Sequence, residues 1–325
     1  MKMKEIEKVD VTVIICTRNR ASQLASVLDS ACKLIIPAGL VWEFVVVDNG
    51  STDGTADVVA HYLDLLPIRC VREDTPGLSN ARNRGVDEAK GDYICWTDDD
   101  VVIDPEWLSA YAAAFKRHPE AAVFGGRVLP FLVKPTPAWF EKARYDWPIV
   151  SLQAYRDFGD DIVPLTFKGG KTPYGANFAL RATEQKRHRY NPELGVSPLH
   201  KRVGEESDVI YRIFKDGGSG WWVPGSKVNH IIPTKRQTLS YLFDYSYLVG
   251  ETFAYLRDNY PADNHLLATG SPPPDYNIGK LLLYWRALHR GVKFILATIL
   301  KKKSRFSIFR DFGFYAGAVS YRRQK

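Results

Sequence analysis

Gly91-Asp-Tyr-Ile-Cys-Trp-Thr-Asp-Asp-Asp100 is the stretch from which the fold can be read. Tyr93-Ile-Cys-Trp96 is a short apolar run and predicts a buried strand. It stops at three consecutive carboxylates, Asp98, Asp99 and Asp100, which repel one another unless a cation relieves them. If extended geometry persists, strand alternation points Asp98 and Asp100 the same way. Two hard oxygen donors at a strand end suit Mg²⁺ or Mn²⁺ bridging a diphosphate, with a solvated acidic turn as the alternative.

The same pattern repeats upstream. Val11-Thr-Val-Ile-Ile-Cys16 predicts a buried strand, Thr17-Arg-Asn-Arg20 a polar loop, and Ala21 to Lys33 a helix with Leu24, Val27, Leu28 and Ala31 on one face. Phe44-Val-Val-Val-Asp48 predicts a second strand, ending in Asn49-Gly50-Ser51-Thr52-Asp53-Gly54 and a helix from about Thr55 to Leu65. Ile68-Arg-Cys-Val71 reads as a third strand, Asn80 to Ala89 as a helix. After the triple carboxylate, Asp104-Pro105 opens a helix to about His118, with Pro at its first position. Such alternation implies βαβ units and a mostly parallel sheet. The polar residues cluster past the carboxyl ends of the strands, where open α/β sheets bind ligands.

The second half is less regular. Pro130 to Pro148 reads as loops with short helices. Gly169 to Asn177 is a Gly-rich loop leading into Phe178-Ala-Leu180, and Ser207 to Lys215 is a helix ended by Gly217-Gly218. Trp221-Trp-Val-Pro224 and Lys227-Val-Asn-His230 read as two strand pieces, and Thr238 to Tyr255 as a helix with an aromatic stripe. Ser271-Pro-Pro-Pro-Asp275 reads as a linker before a basic helical tail.

Charge separates that tail from the rest. The 325 residues carry 44 Lys+Arg against 37 Asp+Glu, a formal charge of +7. Residues 280–325 hold 12 bases and one acid, Asp311, so the tail is +11 and the remainder −4. The overall basicity is therefore no argument for nucleic acid. Residues 1–10 lack an apolar core, so no secretory signal is expected. Leu281–Leu300 is interrupted by Arg286, His289, Arg290 and Lys293, which argues against a membrane-spanning helix. Cys16, Cys32, Cys70 and Cys95 show no paired spacing and are expected to be buried free thiols of a reducing cytoplasm.

Each loop admits two readings. Thr17-Arg-Asn-Arg20 brings two guanidinium groups to a helix N-terminus, where phosphate or solvent could meet them. Asp48 could accept bonds from a base or ribose, or it could start a turn and cap a helix. Gly204-Glu-Glu-Ser-Asp208 could hold a general base or place acids where a helix N-terminus favours them. His230 could join two Asp side chains on a Mn²⁺-like metal or be structural. The Gly-x-x-x-x-Gly-Lys-Ser/Thr pattern is absent, and the first strand–helix turn lacks Gly-x-Gly-x-x-Gly, so neither a P-loop enzyme nor a nicotinamide dehydrogenase is expected.

Taken in order, Val13 to Arg20, Val45 to Thr55, Gly77 to Gly85, Gly91 to Asp100, Tyr174 to Asn177, Gly204 to Glu206 and Val228 to His230 make a more specific set than any one of them. The chain resembles an inverting family 2 glycosyltransferase over about residues 9–255. The resemblance implies an α/β, GT-A-type fold, a mostly parallel central sheet flanked by helices, with a basic helical C-terminal extension. It implies a GT-A catalytic domain over 1–270, with a nucleotide-binding half at about 9–125 and an acceptor-binding half at about 126–270, and a tail over 271–325.

The resemblance also implies roles. Thr17, Arg18, Asn19 and Arg20 match the first nucleotide-binding segment. Asp48 matches the acid that contacts the base, with Asn49 and Asp53 in the same loop, and Arg82 and Asn83 border the nucleotide. Asp98-Asp99-Asp100 matches the Asp-x-Asp motif, with Asp98 facing ribose or metal water and Asp100 the metal, and His230 matches the histidine that completes the site. Glu206 matches the catalytic base. The family has Asp at that position, so Glu205 and Asp208 stay open as alternatives. Tyr174, Asn177, Trp221 and Trp222 are candidates for binding acceptor.

The expected cofactor is Mn²⁺ or Mg²⁺. The expected partners are a nucleoside-diphosphate sugar donor and a saccharide or lipid-linked saccharide acceptor, as in cell-surface polysaccharide or glycolipid synthesis. An anionic membrane surface is a candidate partner for the tail, nucleic acid is not, and the expected location is cytoplasmic, peripheral on the inner face of the membrane. The rival readings are a sugar-1-phosphate nucleotidyltransferase and a nucleic-acid-binding protein whose tail aromatics stack on bases.

Overall fold

The computed structural model describes residues 8–167, 170–260, 280–302 and 304–324. The expected linker Ser271–Asp275, with Gly169 and Lys303, lies outside the described residues.

The first half alternates as its sequence predicts. β1 (Val11–Thr17), α1 (Ala21–Ala31), β2 (Trp42–Asp48), α2 (Thr55–Ala60), β3 (Ile68–Arg72), α3 (Leu78–Glu88) and β4 (Tyr93–Thr97) follow one another. β3, β2, β1 and β4 lie side by side and parallel, with Thr17 paired to Asp48 and Ile15 to Thr97. Parallel strands covered on both faces must be apolar on both faces. Val13 and Ile15 accordingly pack with Leu24, Val27 and Phe44 on one side, and Ile14 packs with Val45, Val47 and Trp96 on the other.

Helix ends depart from expectation. α2 stops at Ala60 rather than near Leu65. α4 (Trp107–Arg117) begins two residues after Pro105, which sits in a turn before the helix instead of at its first position.

The second half completes an eight-stranded sheet. β5 (Val101–Ile103) follows the carboxylates directly, and β6 (Val123–Leu132) runs through part of the segment expected to be loop. After α5 (Ala138–Ala143), β7 (Asn177–Arg181) inserts antiparallel between β4 and β6, followed by α6 (Ala182–Arg187) and α7 (Glu205–Lys215). β8 (Gly220–Ile232) is one strand, not two pieces. Its parallel register with β6 slips at Pro224–Ser226, so Gly126 pairs with Val223 but Arg127 with Lys227. That bulge is why the sequence reads as interrupted.

Asn177 ties this half together. Its wholly buried amide accepts from Trp107 Nε1 at 2.8 Å and Tyr111 Oη at 2.7 Å, and donates to the carbonyls of Arg127 at 2.9 Å and Ser226 at 3.0 Å. It holds α4, β6 and the β8 bulge to β7. It is therefore not an acceptor-binding residue.

α8 (Leu239–Asn259), α9 (Lys280–Ile299) and α10 (Arg305–Gln324) form the C-terminal layer. α10 lies against α8 where two glycines meet the opposite backbone. A Cβ at Gly250 falls 1.9 Å from the Phe314 carbonyl oxygen, and one at Gly317 falls 1.9 Å from that of Tyr247. Four of the tail aromatics pack internally, while Trp285 is 67% exposed. Phe294 contacts Phe309, Phe306 stacks on Trp139, and Phe312 meets Phe243, so these rings do not form a base-stacking surface. Among the described residues no helix is long and apolar enough to cross a membrane. The four thiols are free, but only Cys95 is buried; Cys16 is half-buried, and Cys32 and Cys70 are exposed.

Asn177→Ala is expected to lower unfolding free energy by about 2–4 kcal/mol, because it leaves several buried polar groups unpaired. A denaturant midpoint within error of the parent's contradicts the role assigned to this amide.

Candidate active site

The strand ends of the parallel half converge on a cavity of about 790 Å³, within the range of small-molecule sites. Its first edge is a set of loops that hold one another. Asn19, at φ +53°, accepts from Thr52 N at 2.7 Å and gives its own N–H to Ser51 Oγ at 2.9 Å. Asp53 accepts from the Ala21 and Thr55 amides, at 3.1 and 3.2 Å, and from the Thr55 hydroxyl. Asn49 spends its amide on the backbone of Glu73, Thr75 and Gly77. These three side chains shape the loops. Asn19 and Asp53 do not line the cavity. Asp48 stands just outside it, with one oxygen accepting from Ser51 N at 2.8 Å and the other 3.7 Å from Arg72 Nη1.

The triple carboxylate divides by partner. Asp99 is buried, accepting from Thr17 Oγ1 at 2.7 Å and Arg20 Nη1 at 2.6 Å. Thr17 and Arg20 thus anchor the first loop to the motif. Burial raises the Asp99 carboxyl despite these donors. Asp100 has His230 Nε2 at 3.3 Å, Arg236 Nη2 at 3.3 Å and Arg20 Nη1 at 3.5 Å. Burial works against its ionisation, but His230 and the two arginines outweigh it and hold the carboxyl down at about 2. Asp98 opens to the cavity and is pushed up to about 6 by burial, with Asp100 and Asp99 adding to the rise and Arg82 opposing it.

His230 is positioned by the sheet, paired in register with Val101 on one side and Pro130 on the other. Its Nδ1 faces the Gln153 carbonyl at 3.3 Å and so carries a proton. Nε2 is the nitrogen left for the pocket, between Asp100 and Arg236 Nη1 at 3.2 Å. Protonated, it donates to Asp100; unprotonated, it offers a lone pair beside that carboxylate. A carbonyl on the second ring nitrogen is the usual support of a metal-bound imidazole. Among the described residues no three His, Cys, Asp or Glu side chains close into a cage. The arrangement instead suits a hard cation held by one or two protein groups and completed by substrate phosphates.

Across the cavity, α3 and α7 bring the other charges. Arg82 is buried, its Nη2 3.8 Å from Asp98 and 3.7 Å from Glu205, and its guanidinium lies 5.4–5.7 Å from the ring centres of Trp96, Phe178 and Tyr190. Its Nη1 has no hydrogen-bond partner. Neighbouring Asn83 instead clamps the backbone of Tyr190, from 2.9 Å at both its oxygen and its nitrogen, and stays out of the cavity. Glu205 is buried, and burial, Glu206 and Asp98 push it up to about 7 against the pull of Arg82. Glu206 is half-buried in the cavity wall. Asp208 lies elsewhere, paired with Arg212 at 2.7 Å. Of the three candidate bases, Glu205 and Glu206 face the cavity and Asp208 does not.

The acceptor candidates fare unevenly. Tyr174 lines the cavity, with the Arg156 guanidinium 3.7 Å from its ring centre. Trp222 is wholly buried against Phe158, and Trp221 stacks on His118, so neither reaches the cavity. Tyr241, Tyr245, Phe253 and Trp147 supply the aromatic wall instead. Arg156, Arg202, Arg236 and Arg310 join Arg18, Arg20 and Arg82 in the lining, and α10 contributes Arg310 and Phe314. These four arginines stand singly in the sequence, with no motif to mark them.

Residues 12–181 match Glycosyl transferase family 2. The glucosyl-dolichyl phosphate glucuronosyltransferase of Haloferax volcanii is 22% identical over 247 residues, 75% of this chain and 74% of that one. Succinoglycan biosynthesis protein ExoM of Rhizobium meliloti is 25% identical over 258 residues, 77% and 76% of the two chains. A mannosyltransferase of Pyrobaculum calidifontis, solved with GDP-Man and Mn²⁺, superposes with a TM-score of 0.61 at 19% identity, covering 98% of this chain and 89% of that one.

The raised Glu205 carboxyl has a consequence for stability. A carboxyl that binds its proton more tightly folded than unfolded stabilises fully below its unfolded pKa and loses that contribution as pH rises through the folded value. Between about pH 4.5 and pH 7 the parent is expected to lose about 1–3 kcal/mol through Glu205, and Glu205→Gln to lose correspondingly less. Parallel pH profiles for the two proteins count against the buried position of this carboxyl.

Proposed function

The chain belongs to glycosyl transferase family 2 and has the GT-A fold, and from this premise we propose that it is a metal-dependent, inverting transferase acting on a hydroxyl acceptor. One observation carries the proposal: Glu206 and the Asp98–Asp100 loop line a single cavity, and buried Arg82 links Asp98 to Glu205, the neighbour of Glu206. A base on one side and a diphosphate site on the other is what a one-step displacement requires.

In this reading the nucleoside diphosphate lies along the carboxyl ends of β1, β2 and β4. Asp48 keeps its second carboxylate oxygen for a base N–H. Arg18, exposed at the cavity rim, donates to the donor substrate, and buried Arg82 backs Asp98. Asp100 and His230 Nε2 would hold a divalent cation, Mn²⁺ or Mg²⁺, which would supply charge neutralisation for a departing diphosphate, and Asp98 faces the ribose side. Glu206 accepts the proton of the acceptor hydroxyl as the oxygen attacks the anomeric carbon from the face opposite the leaving group. One bond forms as one breaks, so the configuration inverts. Glu205 stays on Arg82 and positions it.

The nucleotide-binding half spans about 9–125 and the acceptor-binding half about 126–270. The aromatic wall of Trp147, Tyr241, Tyr245 and Phe253 suits the apolar faces of a saccharide, free or lipid-linked. Relatives named for dolichyl phosphate and succinoglycan chemistry support an acceptor in cell-surface polysaccharide or glycolipid synthesis. Residues 271–325 add α9 and α10, and α10 closes one end of the cavity. Neither rival reading is favoured: the family match leaves no support for a nucleotidyltransferase, and Phe294, Phe306, Phe309 and Phe312 are spent on packing.

Glu206→Gln is expected to lower kcat by about 10²–10⁴-fold with donor binding intact. Product with retained anomeric configuration in a proton NMR time course sinks the mechanism. A nucleoside diphosphate with Mn²⁺ at 100 times its Kd is expected to stabilise the protein by about 2.7 kcal/mol. Asp100→Ala should lose the part of that gain that depends on Mn²⁺, and a full metal-dependent gain in the variant removes Asp100 from the site.

A further inference from the structure

α9 is apolar on two opposite faces, and the described residues cover only one. Its inner face packs on α10 through Leu283, Ala297 and the Phe294–Phe309 ring pair, with Arg290 3.4 Å from Asp311. On the outer face Leu281, Trp285, Leu288, Val292, Ile295 and Ile299 recur at alternating steps of four and three residues. Every one of them is at least half exposed, from 50% at Val292 to 82% at Leu281. So long a row of large apolar side chains facing water is unusual and marks a contact surface.

We propose that this outer face of α9 lies in the interface of an anionic lipid bilayer, parallel to its plane. The charge beside the row selects that occupant. Exposed His289 and Lys293 sit about 80–120° round the helix from Leu281, and exposed Lys301 and Lys302 follow its end. Residues 280–302 contain no acid. The single acid of residues 280–325, Asp311, is buried and spent on Arg290 and Arg310. A second copy of the chain, paired along the same row, sets one basic flank against another with no carboxylate between them. An anionic leaflet complements both the apolar row and its flanks. Width agrees: with Leu296 and Leu300, both over half exposed, the apolar arc is broader than the narrow seam of a two-helix pair. Trp285 brings an indole suited to headgroup depth. α9 therefore lies on a membrane and does not span it.

The placement relates to the cavity. α10, which α9 covers, itself lines the cavity with Arg310 and Phe314. The bound surface is thus one helix layer from the aromatic wall.

Flotation of the full chain with vesicles tests this. The protein is expected to float with vesicles of equal phosphatidylglycerol and phosphatidylcholine at low salt, and to bind pure phosphatidylcholine at least tenfold more weakly. Leu288→Glu combined with Ile295→Glu should weaken binding at least tenfold. Lys293→Glu should weaken it about fivefold or more at low salt and little at high salt. All these positions are exposed, so an unchanged thermal transition and an unchanged shift with nucleoside diphosphate confirm intact variants. Failure of the parent to float, or full flotation of the double variant, overturns the proposal. So does light scattering that shows a dimer abolished by the same two substitutions without vesicle binding. The proposal does not depend on the transfer chemistry, since a protein that ignores vesicles can still transfer sugar in solution.

Discussion

A guanidinium cannot be buried without company, and the placement of Arg82 is the constraint around which this molecule is arranged. Moving it out of water costs several kcal/mol unless carboxylates and polarisable surfaces replace the lost hydration. Asp98 arrives from the end of β4, and Glu205 from the start of α7. Trp96, Phe178 and Tyr190 come from β4, β7 and the segment after α6. Apart from Trp96 and Asp98, which share β4 and its end, these groups come from separate elements, and without the guanidinium the two carboxylates would repel across a low-dielectric gap. Arg82 thus couples the Asp98–Asp100 turn to the first turn of α7. Asn83 secures the arrangement from behind by fixing Tyr190.

The charges of the cavity form a graded set. Burial raises Asp99 against the pull of Arg20 and Thr17, Asp100 is held strongly ionised by its basic neighbours, Asp98 is pushed upward by burial with Asp100 and Asp99, and Glu205 by burial with Glu206 and Asp98. Four acids of similar intrinsic strength therefore differ widely in their hold on a proton. Chemical identity is the same; what differs is the number of donors within reach and the depth of burial. The proposed chemistry, with a cation held at one point and a proton accepted at another, calls for such a spread.

How much of this was legible depends on how local the signal is. The parallel half announces itself because Val13 to Ile15 and Val45 to Val47 are apolar on both faces and end in polar loops. The Asp98–Asp100 turn and Glu205–Glu206 were legible for the same reason: each is contiguous. The antiparallel half was harder. β8 carries Pro224 and Gly225 within a bulge that only its register with β6 explains, and β6 passes through Pro130. The resemblance put Asn19, Asn49, Asp53 and Asn83 beside the nucleotide; in the structure their side chains tie loops and strands together, as that of Asn177 does. Trp221 and Trp222 look like an aromatic platform, yet they stack on His118 and Phe158 away from the cavity. Conversely, Arg156, Arg202, Arg236 and Arg310 reach the cavity from isolated positions, and such convergence exists only in three dimensions.

The paired glycines between α8 and α10 carry a lesson about modularity. Because Gly250 and Gly317 let each helix touch the other's main chain, the last helix is keyed into the catalytic body with no room for a methyl group. It also walls the cavity. Seen as a set of exchangeable parts, the chain has no clean cut before α10: a shortened version is an open vessel, not a minimal catalyst. Recombination with a foreign anchor must splice outside the α8–α10 pair or bring a matching glycine surface with it. The natural unit of exchange is thus larger than the stretch that carries the family's motifs.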